Sequence, residues 1–226
     1  MARSVSFGEL FAETNALVSR QGGFLVAAAL AITVSFVGLD WLSTLSDDAS
    51  GLMMANSLAG FAIGLFGQYL IVERLLADRR QTGQATAIRH YGSLFGVLFI
   101  SGLGIVAGLI VLLLPGFYLA GRWLTATQRV VEGRLPSMEA LRASWDDSEP
   151  SQFVFTVAYL LSLLPILLIV GVSFYPDLLA IPDDAWLTNL LINGFSAIAN
   201  VAGWVISTAA YRQAVPVDSQ LEEVFV

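Results

Sequence analysis

The chain of 226 residues is 56% hydrophobic and only 13% charged, with a formal net charge of -7. Soluble domains carry about 25% charged residues, so with a mean hydropathy of +0.73 this composition excludes an ordinary water-facing fold. No Cys, a single His (His90) and eleven basic residues that are all Arg exclude thiol chemistry, a His-rich metal site and a dense nucleic-acid surface.

The N-terminal segment, 4–19, reads as an amphipathic helix. Phe7, Leu10, Phe11, Leu17 and Val18 recur at helical spacing, and Ser6 followed by Glu9 is a capping-box pattern that starts it. Spans follow at about 24–45, 52–76 and 91–114, each long enough to cross roughly 30 Å of hydrocarbon. The first is preceded by about twenty mostly polar or amphipathic residues, unlike a cleaved signal peptide, and is expected to remain as an anchor. A shorter apolar stretch, 117–131, begins after Pro115-Gly116 and contains Arg122. A second amphipathic segment, 137–146, carries Met138, Leu141 and Trp145 at i, i+3 and i+7. Spans at about 153–175 and 185–211 complete the chain, and Pro165 predicts a kink in the first of these.

Charge placement orders these segments. Arg74, Arg79, Arg80 and Arg89 flank the connection between the second and third spans, which the positive-inside rule makes cytoplasmic. Asp47 and Asp48 lie in one Arg-free connection, and Asp177, Asp183 and Asp184 in another. If 117–131 crosses, every Arg-bearing connection and both termini are cytoplasmic. The expected fold is therefore all-α: an integral bundle of six transmembrane helices with two cytoplasmic amphipathic helices. The two amphipathic segments each lead into an apolar run beginning with Phe, at Phe24 and Phe153, and read as a degenerate parallel repeat. GxxxG spacings at Gly60/Gly64, Gly92/Gly96 and Gly104/Gly108 allow close helix packing, within the chain or in a homo-oligomer.

Arg122 is the candidate anion or lipid-headgroup residue, because a guanidinium inside a span needs a carboxylate, a headgroup or water. Counted from Pro115 at the outer surface, it lies at a depth comparable to Asp40, its expected partner. Arg129, Glu132 and Arg134 are expected to form a cytoplasmic turn cluster. Asn189, Asn193 and Asn200 share one stripe of the last span, read either as hydrogen bonding between helices or as a polar path. Trp41, Trp123, Trp186 and Trp204 are expected near span ends, with Trp123 and Trp204 fitting least well.

From Pro115 to Trp145 the chain reads Pro-Gly-Phe-Tyr-Leu-Ala-Gly-Arg-Trp, an apolar helix, Val-Val-Glu-Gly, then Ala-Leu-Arg-Ala-Ser-Trp. This resembles bacterial multi-pass membrane proteins of uncharacterised function related to the membrane domain beside some glycerophosphoryl diester phosphodiesterases. The matching positions are Pro115, Gly116, Arg122, Glu132, Gly133, Ala140, Leu141 and Ser144. The resemblance implies about six helices in a bacterial inner membrane and no phosphodiesterase activity, since the catalytic barrel is a separate domain. No catalytic constellation, metal set or cofactor motif is found. The expected function is a non-enzymatic membrane protein with membrane lipids as partners, lipid-interacting or an envelope scaffold. The alternative is a small-solute transporter or channel using Arg122 and the Asn stripe.

Overall fold

The computed structural model describes residues 3–44, 49–79, 90–174 and 185–215, and every regular element among them is helical. Asp47, Asp48, Arg80, Arg89, Tyr175, Asp177, Asp183 and Asp184 lie outside the described residues. Nine α-helices are described: α1 Phe7–Ser43, α2 Ala49–Leu75, α3 Tyr91–Val111, α4 Leu113–Arg122, α5 Ala126–Val131, α6 Ser137–Ser148, α7 Gln152–Ser162, α8 Leu164–Phe174 and α9 Ala185–Ala214. Five helical stretches, Phe7–Ser43, Met54–Leu75, Tyr91–Val111, Ser137–Gly171 and Trp186–Ala214, are long and apolar enough to cross a membrane. The chain is therefore a helical membrane protein.

The capping box at Ser6 and Glu9 starts α1 as the sequence predicts. The predicted boundary between 4–19 and 24–45 is absent: α1 runs unbroken for 37 residues, about 55 Å. Gly22 and Gly23 each disfavour a helix by about 1 kcal/mol, but tertiary packing overrides them. Leu10, Leu17, Leu25 and Ile32 are all buried, forming a seam at intervals of seven or eight along the helix. The most extensive packing partner of α1 is α9.

The predicted span 117–131 also differs. It is divided into α4 and α5 by Trp123, Leu124 and Thr125, and it does not pass as a single helix. It nevertheless runs back along α3. Gly116 lies against Gly108, Trp123 against Gly104, and Ser137 against Gly96, and the Ser137 hydroxyl donates to the Ser93 carbonyl at 3.0 Å. A Cβ on Gly108 would sit 2.8 Å from the Gly116 Cα, so this hairpin closes only because both positions lack one. Three of the GxxxG glycines thus serve packing within the chain.

Between α3 and α4 only Leu112 is non-helical, with φ -158° and ψ 138°. Ile110 to Leu114 are 65–81% exposed, and no polar side chain occurs from Gly102 to Phe117. At the other predicted irregularity, Pro165, α7 ends and α8 begins on either side of Leu163.

The fully buried side chains gather at one end of the bundle. Leu75, Leu76, Val130, Val131, Phe155 and Tyr211 are each under 3% exposed. This end holds Arg79, Arg129 and Arg212, and Arg3 there donates its backbone N–H to the Ala214 carbonyl at 3.3 Å. We refer to it as the arginine-rich end.

Candidate functional site

The break between α4 and α5 would strand backbone carbonyls inside the bundle, and α6 supplies the missing donors. The Ser144 and Ser148 hydroxyls donate to the Arg122 carbonyl at 2.9 and 3.2 Å, and Thr125 Oγ1 lies 3.0 Å from Ser144 Oγ. Ser144, Ser148 and Thr125 are completely buried. Buried non-helical backbone is tolerated where protein groups satisfy it, and here two hydroxyls do so, with Thr125 bonded to one of them. They also explain the face that α6 presents. Its buried residues are Ala140, Leu141, Ser144, Asp147 and Ser148, whereas Met138 and Trp145 of the predicted apolar stripe are 65% and 36% exposed.

Arg122 does not pair with Asp40. Its Nε donates to the Tyr118 hydroxyl at 2.9 Å and its Nη1 to the Trp145 carbonyl at 3.0 Å. The guanidinium also lies 4.7 Å from the Trp145 ring centroid and 5.3 Å from that of Tyr118. Depth counted from Pro115 along one straight helix misplaces this side chain, because α4 leads it onto α6. Asp40 instead accepts from Asn193 Nδ2 at 2.7 Å and from Asn56 Nδ2 at 3.2 Å.

Two members of the predicted turn cluster, Arg129 and Glu132, pair with residues of other elements. Arg129 grips Asp147 of α6 with two nitrogens, at 2.7 and 2.5 Å, and Glu132 lies 3.3 Å from Arg79, in the turn that follows α2. Arg79 also donates to the Val215 carbonyl, and both Arg79 and Arg129 lie over the Tyr211 ring, at 5.3 and 5.5 Å. Arg134 follows the Glu132-Gly133 turn with φ 54°, a left-handed conformation uncommon for a residue with a Cβ. A second set lies beside it. Arg212 donates to Glu13 at 2.6 Å and to both oxygens of Asp78 at 2.7 and 2.9 Å.

One residue missed by sequence reasoning, Gln128, joins these sets, beside Gln68, which the sequence already shows as a polar residue within a span. The buried Gln128 amide lies 2.8 Å from Ser207 Oγ and 3.2 Å from Thr208 Oγ1 of α9. Gln68 Nε2 donates to Thr127 Oγ1 at 3.1 Å. A signal was available: Thr-Ala-x-x-Arg occurs twice, at Thr125–Arg129 and Thr208–Arg212. In both copies Thr and Ala are buried where the helices meet, and Arg reaches an acid at the arginine-rich end.

Beyond these hydrogen bonds lies a cavity of about 580 Å³. Leu98, Gly102 and Ile105 of α3, Leu163 between α7 and α8, and Ile166 and Ile169 of α8 line it, together with residues of α9 and of the α4–α5 break. Its polar lining includes Gln68, Ser101, Thr127, Tyr159, Ser162 and Asn200, and none of the described residues lining it is charged. The cavity is not sealed, since Ile166 is 42% exposed. Arg122 does not line it. The Asn stripe does not act as one unit: Asn193 holds Asp40, while Asn200 Nδ2 donates to Ser196 O at 2.9 Å within its own helix. Asn189 lines a different cavity.

No known protein family matches the chain, and neither does any curated protein or solved structure.

Proposed function

We propose that this is a non-enzymatic, lipid-interacting integral membrane protein that takes a lipid acyl chain into the cavity between α3, α8 and α9. The observation carrying this reading is the cavity's size and neutrality. Its volume of about 580 Å³ lies within the roughly 300–1,000 Å³ of small-ligand sites, and a wall that is mostly apolar with scattered hydroxyls suits a hydrocarbon chain. The resemblance to the membrane domain beside glycerophosphoryl diester phosphodiesterases agrees with a lipid-facing role. We place the protein in a bacterial inner membrane with both termini cytoplasmic, because the arginine-bearing connections then all lie inside. In this reading α4 and α5 together make the fourth of six passages. A small-solute transporter has less support, since Arg122 and the three Asn side chains line no common path among the described residues.

Photolabelling with a diazirine-bearing phospholipid tests the proposal. Label is expected in peptides covering 98–105 and 196–203. A Cβ at Gly102 meets nothing within 4 Å, so Gly102→Phe fills open space and is expected to lower that labelling roughly tenfold, the equivalent of about 1.4 kcal/mol. Labelling spread evenly over the lipid-facing surface, and unchanged by Gly102→Phe, would sink the reading.

A further inference from the structure

Asp40 raises a separate question of charge. It belongs to a helix long and apolar enough to cross the membrane, and among the described residues its two oxygens accept from neutral amides, those of Asn56 and Asn193. Asn193 is itself 9% exposed. The chain contains no Lys, and no Arg lies between Arg20 and Arg74 or between Arg142 and Arg212. Asp40, Asn56 and Asn193 all fall inside those two Arg-free intervals. The basic groups described with bound acids gather instead at the arginine-rich end, on Glu13, Asp78, Glu132 and Asp147. An ionisable side chain in a span normally has a partner, and none of the described basic groups pairs with Asp40.

A cavity of about 560 Å³ opens beside it, lined by Asp40, Trp41, Thr44, Trp186 and Asn189 among others. Trp41 and Trp186 are 61% and 62% exposed. Indole faces attract cations through the ring quadrupole, and recognition of substituted ammonium groups is the functional use of that attraction. A carboxylate held by two amides, beside two indoles and hydroxyl and amide groups, matches a compact organic cation better than a bare metal ion. A metal ion would call for a shell of several oxygens, whereas the two indoles offer ring faces.

We propose that Asp40, Trp41 and Trp186 form a binding site for an organic ammonium group, such as the headgroup of an aminophospholipid. Asn56 and Asn193 are positioning residues that fix the carboxylate. The site shares no described lining residue with the cavity between α3 and α8 and stands or falls without it.

Native mass spectrometry of the full chain offered equimolar phosphatidylethanolamine and phosphatidylglycerol with identical acyl chains provides the test. The wild type is expected to retain the amine lipid over the glycerol lipid by roughly tenfold. Asp40→Asn is expected to abolish the preference, and so is Trp186→Leu, an exposed position whose loss spares the core. Gly102→Phe is expected to keep it, which separates this site from acyl-chain binding. If tetramethylammonium saturably quenches wild-type but not Asp40→Asn tryptophan fluorescence while neither lipid is preferred, the ammonium comes from a free solute and the site's chemistry stands. Equal retention of both lipids with no such quenching overturns the proposal. So does a preference that survives Asp40→Asn, or a sodium adduct that Asp40→Asn alone removes.

Discussion

Arg122 and Arg129 lie seven residues apart on opposite sides of one helix break, yet the structure treats them differently. Arg129 closes on Asp147 with two short hydrogen bonds, its side chain 18% and its partner's 7% exposed. Arg122 meets no carboxylate among its described contacts and is held by a phenol, a carbonyl and two aromatic faces. The first arrangement is a lock between α5 and α6, in which each charge depends on the other. The second is a brace, in which several neutral groups share one cation. In a chain with so few charges, position along the helix does not tell the two apart; the α6 residue that each meets, Trp145 or Asp147, does.

The largest effect expected from that contrast is at the lock. Arg129→Ala leaves Asp147 buried without its cation, a change that costs about 3–5 kcal/mol, read as a large fall in thermal stability in detergent. The double variant Arg129→Met with Asp147→Leu is expected to recover most of it, because a buried pair replaced by apolar groups is often neutral. No recovery would mean that the pair serves more than charge compensation. At the brace, Arg122→Ala removes two cation–π contacts and is expected to cost only about 1 kcal/mol. A loss as large as that of Arg129→Ala would break the distinction between the two arginines.

The smallest effect concerns the other Thr-Ala-x-x-Arg copy. Hydrogen bonds from Arg212 hold the Asp78 carboxyl below its ordinary value of 3.8, against an opposing contribution from burial. A lowered folded-state value means that the stabilisation is fully present above the ordinary carboxylate range and is lost as pH falls through the lowered value. Asp78 is half exposed, so the slope is shallow. Stability profiles of wild type and Asp78→Asn are expected to converge at acid pH, and parallel profiles would remove Asp78 from the linkage.

Long apolar runs made the spanning helices legible, and local chemistry made legible the Ser6–Glu9 cap and the interruption at Pro165. The continuity of α1 was hidden because Gly22-Gly23 looks like a boundary until the seam of Leu10, Leu17, Leu25 and Ile32 finds α9. The α4–α5 break was hidden because its donors, Ser144 and Ser148, lie on a separate helix. Pairing Arg122 with Asp40 assumed that equal depth means proximity. Gln128 was overlooked as one polar residue in an apolar stretch, although the repeated Thr-Ala-x-x-Arg pattern marks its surroundings.

The turn at Leu112 bears on how the bundle sits in its solvent. Its neighbours from Ile110 to Leu114 are exposed and apolar, with no tryptophan, tyrosine or charge to engage headgroups. The predicted turn after α1, by contrast, is flanked by Trp41, Asp47 and Asp48. Mismatch between a helix and bilayer thickness costs fractions of a kcal/mol per Å, and interfacial anchors set the preferred depth. The α3–α4 hairpin is moored at its base, through Ser137 on Ser93, and unmoored at its tip. In the proposed arrangement of six passages, nothing at this tip fixes a depth where the bilayer thins or thickens, while helices with anchors at both ends must tilt.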